Sequence, residues 1–499
     1  THDMKSRLLK TVLLRRTGED CQEWIRESLQ IDPLDLGLAY EEAVRSGDLE
    51  AWQKLMRGDS RNYRLLAFRY VEMGASETAL KILKLGPSDH PMTWYAKGWI
   101  TATKCNDREE ALACYRHAET LSSAYCFPNT LEELIVLEHA TQLNPDGSFA
   151  HYYLGNLLYD AKRHEEALRS WQRSASLNAQ FATVHRNLAI AYHNQSHDLE
   201  AAFSAISRAQ QLDDQDPRIL LERDQLAERL AHTPLDRLTF LDRHQSVVAK
   251  RDDLFLRRIM LLNCLKRSEE AYAAIMSRSF HPWEGGEGLV SGQYVLSLVT
   301  MAQHALDMHD CNTAIDLLKR TLTWPANLGE GRLPQTQDNI ACHHLGIAYS
   351  RSGDDEQARQ WWQRASTGLE KPAPNHYYHD QPSDTIFYQG LALLRLGRRD
   401  EASKRFNLLV SYGRKHQFDE VKPDFFAVSL PETSVYHNDE AQLHLHHCHY
   451  LLALGNLGLG NVVEAEALLS KIVAENPSHQ GALTALELCR EGINREARP

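Results

Sequence analysis

The sequence predicts an all-α fold, a solenoid of stacked two-helix repeats. Three observations carry that expectation. Apolar and small residues recur at helical spacing along most of the chain, and no segment holds the period-two alternation of a strand. The dipeptides Leu143-Asn144 and Leu177-Asn178 close two successive units 34 residues apart, and Leu212-Asp213 closes the next at 35. Inside the units, a Leu followed by a small residue is answered further on by an Ala, and then by a bulky residue.

A period of 34 residues with that pattern is the signature of the tetratricopeptide repeat (TPR), a helix-turn-helix unit that stacks into a superhelix. Helix A carries a small residue where the two helices cross. Helix B carries an Ala at the second close contact and a bulky residue four positions later, filling the space beside it. Leu154-Gly155, Ala167 and Trp171 occupy these positions in one repeat, and Leu188-Ala189, Tyr192 and Ala202 in the next. Leu345-Gly346, Tyr349, Ala358, Trp362 and Ala365 match as well, followed by Gly390, Ala402 and Phe406, and finally by Leu452-Ala453, Ala465, Leu469 and Pro477. Weaker units lie at Leu66-Ala67 with Tyr70 and Ala79, at Ala111 with Tyr115 and Ala118, at Ala271 with Ile275, and at Met301-Ala302 with Ala314 and Leu318. The expected fold is a TPR-type α-solenoid of about ten such units. Residues 1–55 are helical but out of phase and read as a cap or linker, 56–251 as an N-terminal TPR array, and 252–499 as a C-terminal array with inserted loops.

The gross composition excludes several function classes. The chain has 499 residues, 43% of them hydrophobic and 24% charged, with a net charge of -12. That balance disfavours nonspecific binding to nucleic acid and docking on an anionic membrane. No apolar run approaches the roughly 20 residues that span a bilayer. Nine cysteines, none in a CxxC spacing, point to a reducing compartment, and the absence of a signal-peptide pattern points to a cytoplasmic one. A start at Thr1 without methionine suggests a piece excised from a longer chain. There is no GxSxG, no GxGxxG after a strand and no phosphate loop, so no catalytic residue is assigned and no cofactor is expected.

Irregular segments interrupt the repeats at Phe280–Gly292, Trp324–Thr336, Lys371–Asp384 and His416–Asn438. Loops of this kind in a helical array are either tolerated insertions or functional surfaces. The first holds Trp283, Glu284, Gly285, Gly286, Glu287 and Gly288. An aromatic ring beside two carboxylates suits a sugar, whose C–H face stacks while its hydroxyls donate. The alternative is a structural turn with Trp283 packed on the array. The third holds His376 and Tyr377 between prolines, either lining a groove or forming an exposed linker. Asp424-Phe425-Phe426 in the fourth reads as an apolar plug. On a helix, Glu440, His444 and His447 share one face, a spacing able to supply three metal ligands. The stretch is not HExxH and continues as a TPR helix A, so packing between helices is the favoured reading and no metal is expected.

HPWEGGEGLVSGQY, PDFFAVSLPE and HCHYLLALGNLGLGN with the following EAEALL and NPSHQGAL resemble the C-terminal half of a group of large bacterial proteins. These carry a mutarotase-like β-sandwich domain of unknown function followed by a TPR array. The resemblance spans mainly residues 255–490 and implies a carbohydrate-related setting. No part of this chain matches the sandwich. The expected function is therefore a scaffold binding a protein partner or an adjoining domain. The alternative is the accessory half of a carbohydrate-active enzyme whose catalytic domain lies upstream.

Overall fold

The computed structural model describes residues 3–283, 285–374, 381–421 and 435–491. Among them every regular element is a helix and none is a strand. They form two compact units, Thr1–Ala191 and Tyr192–Pro499.

The first unit is a run of antiparallel hairpins: α1 (Met4–Thr17) with α2 (Gln22–Ile31), α3 (Leu36–Ser46) with α4 (Leu49–Met56), α5 (Ser60–Glu72) with α6 (Ser76–Leu85), and α7 (Pro91–Lys104) with α8 (Arg108–Ala118). An additional helix, α9 (Leu131–Leu143), stands before the hairpin of α10 (Ser148–Asp160) and α11 (His164–Leu177). The division between units falls inside α12 (Ala182–Asn194). Tyr70, Tyr95, Tyr115 and Tyr153 are fully buried along this unit.

In the second unit come α13 (Leu199–Leu212), then α14 (Pro217–Arg229) with α15 (Pro234–Asp242) and the single-turn α16 (Gln245–Val248). The hairpins α17 (Asp252–Cys264) with α18 (Ser268–Met276), α19 (Leu289–Asp307) with α20 (Cys311–Arg320), and α21 (Asn339–Arg351) with α22 (Asp355–Ala365) follow. After them stand α23 (Thr385–Arg395) with α24 (Arg399–His416), α25 (Glu440–Gly458) with α26 (Val462–Glu475), and a closing helix, α27 (Gln480–Glu491). One apolar core runs from Leu220 to Trp362 and Ala392, and a second from Ile386 to Cys489. Helix α19 starts at Leu289, inside the segment expected to be irregular. Its first turn is held by the Glu330 carboxylate, which accepts from the Gly288 and Ser291 N–H groups at 2.7 and 2.9 Å.

The repeat positions named from the sequence do the packing. Ala79, Ala111, Ala167, Ala271, Ala314, Ala358, Ala402 and Ala465 have no exposed surface. The small residue of helix A meets the bulky one of helix B. A Cβ at Gly155 would lie 2.4 Å from the Trp171 ring, at Gly346 2.3 Å from Trp362, and at Gly390 2.3 Å from Phe406. Each buried indole also donates to the partner helix, Trp171 Nε1 to the Tyr152 carbonyl at 3.3 Å and Trp362 Nε1 to the His343 carbonyl at 3.2 Å. The turns repeat too. The N–H of Arg163, Arg267, Asp354 and Arg398 reaches back to the carbonyl of Leu158, Leu262, Tyr349 and Leu393 at 2.8–2.9 Å, closing helix A through a left-handed residue. Gly353 and Gly397 adopt that conformation without steric cost, whereas Lys162 and Lys266 adopt it despite carrying a Cβ.

Gly346→Ala tests this packing. Alanine gains up to about 1 kcal/mol of helix propensity, but its methyl meets a rigid, buried ring, and overpacking costs about 1–3 kcal/mol. The variant is expected to unfold at lower temperature than the parent, and an equal or higher thermal midpoint would show the crossing to be looser than described.

Candidate partner-binding groove

The second unit returns on itself. The segment between α26 and α27 and the start of α27 pack against helices that precede them by more than 180 residues. Arg237 of α15 donates to Ser478 Oγ at 2.8 Å, and the Cys264 thiol lies 3.5 Å from the Ser478 carbonyl. Gln480 donates to the Met260 carbonyl at 3.1 Å and exchanges amide contacts of 2.8 and 3.0 Å with Gln293 of α19. Gln293 in turn meets Asn263 at 3.0 Å, and Asn263 accepts from Ser297 at 3.1 Å. Beyond that, Lys266 Nζ pairs with Glu487 at 2.9 Å. A second seam joins the segment before α25 to the unit's start. Asn194 donates to the Val435 carbonyl at 2.9 Å and accepts from the His437 N–H at 3.0 Å, while Arg229 reaches Asn438 at 2.9 Å.

Buried charge underlies the first seam. Arg237 grips Asp224 with two bonds of 2.9 Å and reaches Glu228 at 3.1 Å. Arg257 reaches Asp224 and Glu228 at 2.7 Å each. Burial works to raise the Asp224 carboxyl, but the Arg257 and Arg237 guanidiniums outweigh it and hold the group at about 2. Burial pushes the Cys264 thiol up to about 11, so it stays protonated and can donate.

Between these walls lies a groove of about 500 Å³. Its sides are helix stripes. Thr300, Gln303, His304 and Asp307 form one face of α19, His344, Ile347 and Arg351 one face of α21, and Thr484, Glu487 and Leu488 one face of α27. The turn from Lys266 to Glu270 forms the end. Gln303 and His344 touch at 3.2 Å, and Arg351 donates to the Leu306 carbonyl at 3.0 Å. Ser268 Oγ, at this end, is buried with no hydrogen-bond partner among the described residues. Met301, Leu306, Ile347 and Leu488 give the groove apolar surface between the polar groups.

The residues singled out from the sequence lie elsewhere. Trp283 is half-buried against the core of the second unit, its ring close against Gly286. Glu287 Oε2 is buried without a hydrogen-bond partner among the described residues. Glu284, His376, Tyr377 and the Asp424–Phe426 plug lie outside the described residues. Glu440 opens α25, while His444 Nε2 sits 2.7 Å from the His416 carbonyl and His447 Nε2 2.9 Å from the Ala373 carbonyl. The rings are thus directed at different partners between helices. Among the described residues no three His, Cys, Asp or Glu side chains are grouped as metal ligands. Sequence reasoning missed Ser478, Gln480, Thr484 and Glu487. They stand in an ordinary inter-repeat turn and a last amphipathic helix, and nothing local marks their distant partners.

The pattern "TPR repeat" matches residues 155–196, and "Tetratricopeptide repeat" matches 340–364. The chain carries TPR repeats. Solved structures with which it shares similarity include YrrB, described as a TPR protein with an unusual peptide-binding site, at 14% identity over 46% of this chain and 90% of that one, with a TM-score of 0.26. The TPR domain of P58(IPK) is similar at 11% identity over 86% and 97%, with a TM-score of 0.25. A tetratricopeptide repeat protein from Parabacteroides merdae ATCC 43184 is similar at 15% over 56% and 94%, with a TM-score of 0.26. TPR arrays typically act as protein-interaction scaffolds. Among the described residues no helix is long and apolar enough to cross a membrane.

The last TPR helix depends on a histidine cap. His479 Nδ1 accepts the Ala482 N–H at 3.0 Å, which requires an unprotonated ring nitrogen. Burial, reinforced by nearby His446 and His447, lowers the His479 pKa from 6.5 to about 4. As pH falls, the unfolded chain takes this proton before the folded one, so the cap is intact above pH 6.5 and is lost toward pH 4. Hydrogen-exchange protection of α27 should fall across that window. Asparagine caps helices without titrating, so His479→Asn should flatten the fall; an unchanged profile would remove the cap from the account.

Proposed function

We propose that this chain is a TPR scaffold whose second unit holds an extended segment of a protein partner in the groove between α19, α21 and α27. The observation that carries the reading is the groove's chemistry. Amide, hydroxyl and imidazole groups stand between apolar patches, and Ser268 Oγ is buried there without a hydrogen-bond partner among the described residues. An extended peptide presents backbone donors and acceptors together with side chains, and so matches both kinds of surface. Lys266 and Arg351 stand among Glu269, Asp307 and Glu487, which favours a polypeptide over a polyanion such as nucleic acid. The partner that the family resemblance implies is an adjoining domain of a larger, carbohydrate-related protein.

Thr484 and Gln303 face the groove from opposite walls and test the reading. Screening a peptide array with the full chain should yield ligands whose affinity drops at least about tenfold in the Gln303→Ala/Thr484→Lys variant, with the thermal midpoint unchanged. Ligands that bind both proteins equally would place recognition elsewhere.

One observation favours a second reading at the Trp283 loop. Glu287 Oε2, on the same loop as Trp283, has no hydrogen-bond partner among the described residues, which leaves it an acceptor for a sugar hydroxyl or for a donor on an adjoining domain. Glycan-array binding by the parent that is lost in Glu287→Gln would support it. Absence of any such difference would leave the loop a structural turn.

A further inference from the structure

The groove of the second unit continues past His344 and Thr484, and two of its walls lead on to the same group. On α21, the His344 ring lies 6.2 Å from that of Tyr388 on α23. On α27, Gly481 stands one turn before Thr484, and a Cβ there would lie 2.5 Å from the Tyr450 hydroxyl. Tyr450, on α25, donates to Asp384 Oδ2 at 3.3 Å. Ser383 braces the start of α23 beside it, accepting from the Ala373 N–H at 2.8 Å and donating to the Ala373 carbonyl at 3.1 Å. Asp384 therefore closes one end of the groove. Lys266, which pairs with Glu487, stands with Arg267 and Arg351 toward the other end.

Asp384 is a half-buried carboxylate with no ion-pair partner among the described residues. Burial raises its pKa above 3.8, and only the Tyr450 hydroxyl and backbone N–H groups work against the rise. The carboxylates of Asp224 and Glu228, by contrast, each take two guanidiniums, those of Arg237 and Arg257. A charge withdrawn from water without a counter-charge is costly. The histidines nearby supply none. The His479 ring lies 5.1 Å from that of Tyr450, and with its pKa near 4 it is uncharged at neutral pH. His446 is taken by Glu475 at 2.6 Å, and His447 faces the Ala373 carbonyl.

The rings around the acid suit a cation in a second way. Tyr388 and Tyr450 are both half-buried at this end. Burial, with Asp384 and Tyr388 beside it, pushes the Tyr450 phenol well above 10, so it stays protonated and neutral. Neutral aromatic faces attract ammonium and guanidinium groups, most strongly where water is partly excluded.

We infer that Asp384, walled by Tyr388 and Tyr450, seats a Lys or Arg side chain of the polypeptide segment held in the groove. This rests on the groove being the site that holds the partner. From His344 to Arg351, and from Gly481 to Leu488, each helix rises about 10 Å, the length of about three residues of extended chain. The cation of the bound segment thus stands about three residues from the part lying beside Arg351 and Leu488.

The seat can be probed apart from the groove. Saturation-transfer NMR with n-butylammonium, the end of a lysine side chain, should show binding to the full chain that 1-butanol does not. Asp384→Asn should abolish it. Asparagine still accepts from Tyr450 but carries no charge, so the thermal midpoint should be equal or higher. Tyr388→Leu keeps the acid, removes a ring and should weaken binding about threefold. Peptide-array ligands that the groove variant Gln303→Ala/Thr484→Lys loses should carry Lys or Arg, and lose at least about tenfold in affinity in Asp384→Asn. Butylammonium binding that survives both substitutions would overturn the seat. Groove-dependent ligands indifferent to Asp384→Asn would overturn it too, with the groove reading intact. Ligands that bind the groove variant like the parent would instead remove the groove as the source of the cation, and the butylammonium result would still decide the seat.

Discussion

Everything in the two units depends on how closely helix A can approach helix B. Where the glycine of one helix faces the ring of the other, as at Gly155 with Trp171 and Gly346 with Trp362, the contact is apolar and also directional. The indole fills the space a Cβ would take, and its N–H, which burial would otherwise leave unpaired, finds a carbonyl on the opposite helix. A slide along the axis would lose the bond, and a rotation would bring a side chain into the ring. The register of each hairpin is therefore locked at its crossing. In α21 that lock decides which residues face inward.

This layer was legible in the sequence because its signals are local. Ala167, Ala358 and Ala402 each stand at a fixed interval from their glycine, and the same steric demand repeats at every crossing, so chemistry and spacing together identify the positions. The return of α27 was not legible. Ser478 and Gln480 are the small polar residues that any inter-repeat turn carries, and their partners Arg237, Met260 and Gln293 lie more than 180 residues away. No periodicity encodes a contact at that separation; it follows from the accumulated rotation of every intervening hairpin. The histidines of α25 were ambiguous for a different reason. Helical spacing places Glu440, His444 and His447 on one face, but the loops decide which acceptor each ring meets.

The network of Asp224, Glu228, Arg237 and Arg257 has a particular role in this setting. Taking charges out of water is costly, and a buried ion pair often stabilises a fold no better than well-packed apolar groups. Its bonds, however, tolerate little displacement. Bidentate contact between Arg237 and Asp224 orients the guanidinium so that its remaining nitrogen meets Ser478. The network thus converts the geometry of α14, α15 and α17 into a specific seat for the far end of the same unit.

A solenoid that stacks open-ended can gain or lose a module and remain a solenoid, and many repeat proteins diversify in this way. The second unit lacks that freedom. Because the turn before α27 must arrive at Arg237 and Gln293, and the turn before α25 at Asn194 and Arg229, the number of hairpins between them is set by the angle each contributes. Duplication or deletion of one hairpin would move both seams out of reach together. Change in this half of the protein is thereby channelled into its loops and its inward-facing side chains, with the module count held constant.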